Sequence, residues 1–247
     1  MFKKDTFGQS IILKKLIIRV FGIITYVRFN IINVPVINGA EIIKDLPKEK
    51  ILFISNHQTY FADAAFLFHV IHSSLDNYPN RVKLRSILKC MKTNLFFVAA
   101  EETMKSGILP KILGFAGAIS IKRTWREAGK DIKRQVSRKD TENIEKALNS
   151  GWVITFPQGT TRAFADGRKG TAHIIKNYEP LVVPIVINGF RRAFDKKGLF
   201  MKVKGTQLQV TIKQPLDLDY NDNIDNILHK VMDSIEQSKK FEWRAKN

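Results

Sequence analysis

Five short apolar runs constrain the fold of this chain most. They are ILFIS (51–55), NLFFVAA (94–100), AISIK (118–122), WVITF (152–156) and LVVPIVI (181–187). Runs of this length and composition read as buried strands. LQVTIK (208–213) adds a possible edge strand. Helical stretches fall between them. Residues 61–72 carry Phe61, Ala65, Phe68 and Ile71 among their apolar positions, and 105–117 form a short helix interrupted near Pro110 and ended by Gly114 or Gly117. Residues 140–149 and 223–240 are the remaining helix candidates. Strands alternating with helices predict an α/β fold, a sheet covered by helices. Such folds place their chemistry where strands end, so the residues after each run matter most.

A length of 247 residues suits one α/β domain, and 44% hydrophobic residues argue against wholesale disorder. The single cysteine, Cys90, excludes an internal disulfide framework and a Cys-rich zinc site, fits a reducing compartment, and reads as a buried bystander. Lys and Arg number 41 against 23 Asp and Glu, a net charge of +18. That excess implies an anionic partner: nucleic acid, anionic lipid headgroups, or acidic substrates and carriers.

The N-terminus narrows the choice. Lys14, Lys15, Arg19 and Arg28 interrupt residues 11–30, so no run approaches the roughly 20 apolar residues that span a bilayer. On a helical wheel, Lys3, Lys4, Lys14, Lys15, Arg19 and Arg28 fall in one half. Ile12, Leu13, Leu16, Ile17, Val20, Ile23 and Ile24 cluster in the other. This predicts a helix in the membrane interface, apolar residues in the acyl boundary and cations toward anionic headgroups. Packing on its own domain is the competing reading. No small-residue cleavage site follows, which disfavours a signal peptide. Residues 1–30 are therefore expected to be an amphipathic membrane-surface helix and 31–247 the folded domain, with Pro35, Gly39 and Pro47 marking the exit.

Four segments bear chemistry. In SNHQTYFAD (55–63), a histidine and an aspartate follow a buried strand. Imidazole titrates near neutrality and can take a proton from an attacking hydroxyl, while a carboxylate on its other nitrogen fixes the tautomer. The substrate supplies the nucleophile, so no catalytic serine or cysteine is needed. GAISIKR (117–123) delivers Lys122 and Arg123 at a strand end, where the guanidinium fork suits phosphate or carboxylate. In TFPQGTTR (155–162), Gly159 permits a sharp turn whose N–H groups can form an anion nest, with Thr160, Thr161 and Arg162 as further donors. VVPIVI (182–187) is a buried strand containing one proline.

Taken in order, these segments resemble the glycerolipid acyltransferase family, typified by lysophosphatidic acid acyltransferase. The matching residues are Asn56, His57 and Asp63; Gly117 and Arg123; Phe156, Pro157, Gly159 and Thr160; and Val183, Pro184 and Ile185. The resemblance spans roughly residues 30–190. It implies that family's fold, with a mixed sheet, and transfer of a fatty acyl group from acyl-coenzyme A or acyl carrier protein to a lysophospholipid hydroxyl. The implied acceptor is 1-acylglycerol-3-phosphate, and an amino-acid-containing lyso-lipid is the alternative. His57 would be the general base and Asp63 its orienter. Arg123 and Arg162 would hold the acceptor's phosphate. Asn56, Lys122, Gln158, Gly159, Thr160 and Thr161 would complete the substrate site. No metal and no cofactor is implied, and the place of action would be the cytoplasmic face of a membrane.

This chain departs from the family pattern in three ways. Five residues rather than four separate His57 from Asp63, which on a regular helix swings the carboxylate by about 100°. The pair meets only if a turn or a π-bulge absorbs the extra residue. Gln158 stands at a glutamate position, and Thr161 at an arginine position with Arg162 one place later. The segment 121–139, with eight basic and two acidic residues, could face headgroups or acyl carrier protein. His69 and His72, at i and i+3, read as helix-surface residues. A non-catalytic basic protein binding nucleic acid or anionic membrane is the competing class; no zinc-finger spacing or RNA-recognition motif supports it, and no nucleic-acid partner is expected.

Overall fold

The computed structural model of the protein describes residues 3–122, 126–127, 130–131 and 137–245. Its strands are β1 (Val34–Asn38), β2 (Ile51–Ser55), β3 (Leu95–Ala100), β4 (Ala118–Ile121), a two-residue antiparallel pair β5 (Arg126–Glu127) and β6 (Lys130–Asp131), β7 (Trp152–Thr155), β8 (Leu181–Asn188) and β9 (Gln207–Ile212). Seven of them form one sheet in the order β1-β9-β8-β2-β7-β3-β4. Only the β8–β9 pairing is antiparallel, so the sheet is mixed.

The helices are α1 (Ile11–Tyr26), α2 (Ala62–Leu75), α3 (Leu84–Lys89), α4 (Glu101–Lys105), α5 (Ile108–Gly114), α6 (Arg138–Leu148), α7 (Lys169–Tyr178), α8 (Phe190–Ala193) and α9 (Ile224–Ser234). They cover both faces of the sheet. β2 shows why: all five of its residues are buried, and they alternate between two cores. Ile51 and Phe53 meet Phe66, Leu67 and Val70 of α2, while Leu52 and Ile54 meet Ile144 of α6, Ile175 of α7 and Val231 of α9. Because β2, β7 and β8 run parallel, their carboxyl ends emerge on one edge.

Two expectations about elements are corrected. LQVTIK is not at the edge, since β9 lies between β1 and β8. The edges are β4 and β1, and at β1 the missing N–H of Pro35 is tolerated. The helix over 105–117 breaks at Ser106-Gly107, not at Pro110, which sits in the first turn of α5, where no intrahelical N–H is required.

α1 extends through a π-helical turn at Val27–Ile31. It buries a narrow strip, Lys14, Ile17, Ile18 and Gly22. At Gly22 the approach to α3 is so close that a Cβ would stand 2.7 Å from an Ile87 side-chain carbon. The cations do not all face outward as expected: Lys14 is buried and Lys15 and Arg28 are half-buried, while Lys3, Lys4 and Arg19 are exposed. Lys14 is buried beside Asp5 and over the Phe96 ring, Arg19 Nε donates to the Leu88 carbonyl at 2.7 Å, and Arg28 donates to the Leu199 carbonyl. Most of the apolar half stays outward: Ile12 is 57% exposed and Leu16 55%, with Val20, Ile23 and Ile24 also exposed. Among the described residues no helix is long and apolar enough to cross a membrane.

Candidate active site

The site begins where central strand β2 ends. Asn56 is buried and clamps that end to β8 by a reciprocal pair: its Nδ2 donates to the Ile187 carbonyl at 2.9 Å and its Oδ1 accepts from the Ile187 N–H at 2.7 Å. His57 follows on the exit. Asp63, in the first turn of α2, is completely buried, and the helix N-terminus favours its negative charge. Its Oδ1 accepts from the Thr59 hydroxyl at 2.7 Å, and its Oδ2 from the backbone N–H groups of Gln58 and Thr59. His57 Nδ1 lies 2.9 Å from the same Oδ2. An ionised carboxylate only accepts, so Nδ1 carries the ring proton and Nε2 keeps its lone pair. The ring stacks on Phe156 at 3.9 Å between centroids, fixing the direction of Nε2.

The long spacing is absorbed before the helix starts. α2 begins only at Ala62, so residues 58–61 form a turn rather than a helical segment. The N–H groups of Tyr60 and Phe61 donate to the carbonyls of Lys196 and Lys197, both at 3.0 Å. Gly198, at φ +77°, lies against this turn, where a Cβ would stand 2.6 Å from the Ala62 nitrogen.

His57 lines a cavity of about 1000 Å³. Part of its wall is apolar, from Ile17, Ile18 and Phe21 of α1, Ala65 and Phe68 of α2 and Leu113 of α5. Another part is polar and basic, with Lys122, Thr160, Arg168, Lys169, His173 and Asn177.

The residues expected at the site divide into two groups. His57, Lys122, Gly159 and Thr160 share the cavity wall. Gly159 adopts φ +63° and its N–H donates to the Phe156 carbonyl, making the expected sharp turn. Asn56, Gln158, Thr161 and Arg162 are not among the lining residues. Gln158 is buried and donates through Nε2 to the Ala165 carbonyl at 2.9 Å and to Gln237 Oε1 at 3.2 Å. Thr161 is buried, with its carbonyl held by Arg191 Nη2 at 2.7 Å, and Arg162 is exposed. Arg123 and most of the basic segment 121–139 lie outside the described residues.

Sequence reasoning missed α7, whose Lys169, His173 and Asn177 stand at i, i+4 and i+8 on one face. That spacing was the available signal. It also missed Arg191, which follows β8 and binds Gln58 Oε1 through its backbone N–H at 3.1 Å. His69 and His72 are corrected outright: both are buried inside α2, and burial lowers their pKa values to about 3 and about 4. Cys90 is buried, as expected, and burial pushes its thiol up. Among the described residues no group of three or more His, Cys, Asp or Glu side chains is placed to hold a metal ion.

The carboxylate–imidazole pair thus stands at a strand end and opens on a mainly apolar cavity with a few basic side chains on its wall. The family described as Acyltransferase matches residues 35–188, more than half of the chain, and the protein belongs to that family. Its fold is similar to the crystal structure of the 1-acyl-sn-glycerophosphate (LPA) acyltransferase PlsC from Thermotoga maritima, with a TM-score of 0.58 at 16% identity over 93% of this chain and 79% of that one. No curated protein matches the sequence.

Proposed function

We propose that the protein transfers a fatty acyl group from acyl-coenzyme A or acyl carrier protein to the hydroxyl of a lysophospholipid, with 1-acylglycerol-3-phosphate as the acceptor. The observation that carries this reading is the His57 Nδ1–Asp63 contact at 2.9 Å, with the same imidazole on the cavity wall. His57 Nε2 takes the acceptor's proton as its oxygen attacks the thioester carbon. Asp63 holds the ring and stabilises the imidazolium. The tetrahedral intermediate collapses with cleavage of the C–S bond, and the imidazolium returns the proton to the leaving sulfur. The products are an ester and a free thiol.

The apolar wall suits a fatty chain, and the basic wall suits a phosphate. Lys122 and Arg168 line that wall, and Arg123 follows Lys122 in the chain. Asn56 serves here as a positioning residue. The protein works at a membrane surface, which we take to be cytoplasmic. Support comes from α1, which leaves Ile12, Leu16, Val20, Ile23 and Ile24 exposed as an apolar stripe.

Thiol release from acyl-coenzyme A, dependent on added lysophosphatidate, tests the reading. His57→Ala should lower it about 10²- to 10⁴-fold while the protein stays folded. Wild-type activity in that variant, or no acceptor-dependent release by the intact protein, rejects it.

A further inference from the structure

We infer that Gln237, three residues beyond α9, is a positioning residue for acceptor binding: its amide oxygen sets the loop 157–168, which carries part of the cavity's polar wall. The inference rests on the proposed transfer to a lysophospholipid.

The loop runs between β7 and α7, so neither strand nor helix shapes it, yet Gly159, Thr160 and Arg168 all line the cavity from it. Its base is closed by the Arg168 N–H, which donates to the Pro157 carbonyl at 2.8 Å. Its interior is held by one side-chain oxygen. Gln237 Oε1 accepts from Gln158 Nε2 at 3.2 Å and from the Phe164 N–H at 3.0 Å, and so ties the two limbs of the loop together. Phe164 sits at φ +51°, a left-handed conformation that phenylalanine keeps only where its surroundings enforce it.

The amide of Gln237 cannot turn round. Its Nε2 donates to the Glu236 carbonyl at 2.9 Å, and a flip would set acceptor against acceptor there and donor against the Phe164 N–H. The backbone beneath it is fixed as well. The Gln237 N–H donates to the Met232 carbonyl at 2.9 Å, and Lys213 Nζ reaches the Ser234 carbonyl at 2.7 Å and the Glu236 carboxylate at 2.9 Å. The loop lies against the same helix, so closely that a Cβ on Gly167 would stand 2.7 Å from Met232 Sδ. What this tether delivers at the cavity is the Thr160 hydroxyl. Thr160 Oγ1 accepts from the Arg162 N–H at 3.3 Å and keeps its own proton to donate, which a phosphate oxygen of the acceptor can receive. The turn between His57 and Asp63 is braced separately, by Asp63 and by the Lys196 and Lys197 carbonyls. A loosened loop therefore weakens acceptor binding and spares the chemical step.

The test compares Gln237→Met with Gln237→Glu in the intact protein. Methionine keeps the length of the side chain and removes the oxygen. Glutamate keeps an acceptor for both loop donors and gives up only the bond to the Glu236 carbonyl. Gln237→Met should raise the Kd for lysophosphatidate, measured without donor, roughly 2- to 13-fold, and Gln237→Glu should stay near wild type. In transfer assays the same rise should appear in the lysophosphatidate KM, with kcat and the acyl-coenzyme A KM changed less than about twofold. Hydrogen exchange across 158–168 should quicken in Gln237→Met and not in Gln237→Glu. If the methionine variant fails to fold, Gln237→Asn, which draws the amide back by one methylene, should give the same rise. An unchanged Kd in Gln237→Met, an equal rise in both variants, or a fall in kcat at constant KM overturns the inference. Normal transfer by the wild type with no shift in Gln237→Met counts against this inference alone. A shift in Kd without any transfer counts against the proposed reaction alone, and a wild type that does not bind lysophosphatidate overturns both.

Discussion

Mild acid should destabilise this protein through the two buried histidines of α2. In the folded state burial lowers His69 to about 3, helped by the nearby His72, and lowers His72 to about 4 against its bond to the Phe68 carbonyl. In the unfolded chain both titrate near 6.5. Between these values the unfolded state binds more protons, so stability is full above about pH 6.5 and falls as pH drops. At about pH 5 each histidine costs about 2 kcal/mol, the free energy of protonating a group of pKa 6.5 in the unfolded state alone, so the pair costs about 4 kcal/mol. A domain is commonly stable by only about 5–15 kcal/mol, so this is a large fraction. The carboxylates with lowered pKa values, Asp76 and Asp195 among them, lose their contribution only below about pH 4 and leave this window to other groups. Urea unfolding followed by tryptophan fluorescence at about pH 7.5, 6 and 5 measures the slope, and His72→Leu should flatten it by about half. An identical pH slope in wild type and variant would refute the burial argument. Activity lost together with the unfolding midpoint is then a loss of fold and not of the proposed base, His57.

Gln158→Glu should destabilise the fold, because the carboxylate would face the Ala165 carbonyl and Gln237 Oε1, both acceptors. A cost of about 1–3 kcal/mol should lower Tm by several degrees, and an unchanged Tm refutes it. Gly198→Ala should reduce kcat at least about 10-fold by pressing on the turn between His57 and Asp63, read as kcat in a variant that still unfolds cooperatively. Leu16→Glu combined with Ile23→Glu alters only exposed apolar positions of α1, so it should abolish flotation with anionic vesicles and leave stability within about 0.5 kcal/mol. Undiminished flotation would remove α1 from the membrane contact.

Local pattern carried the strands and the meeting of His57 with Asp63, and distant partners decided the rest. ILFIS, WVITF and LVVPIVI are legible because a strand buried on both faces needs uninterrupted apolar residues, and that need is written at each position. His57 and Asp63 are legible because they meet within one turn. Gln158 is not, since its direction depends on Gln237, far along the chain. Lys14 looks like a surface cation until Asp5 and the Phe96 ring cover it. The wheel of α1 separated the two halves correctly, but amphipathicity is blind to which half meets the protein. Here the buried strip draws on both halves, Lys14 with Ile17, Ile18 and Gly22, while Arg19 reaches the Leu88 carbonyl from an exposed position.

Counting residues between His57 and Asp63 suggests a displaced pair, and the hydrogen bonds explain why it is not displaced. A turn can take one extra residue without penalty only if the N–H groups it frees find acceptors. Four consecutive ones do. Gln58 and Thr59 donate inward to Asp63, and Tyr60 and Phe61 donate outward to Lys196 and Lys197. The outer loop is held in turn by the Asp195 carboxylate, which accepts from Leu199 and Phe200 at 2.8 and 2.9 Å, and by Arg28 at the Leu199 carbonyl. The same carboxylate that orients the imidazole therefore organises the turn that carries it. Removing one residue to restore the shorter spacing would strand at least one of these N–H groups and pull Asp63 from His57. The 2.9 Å contact and its buried setting are both reached by bracing a longer turn from a distant loop.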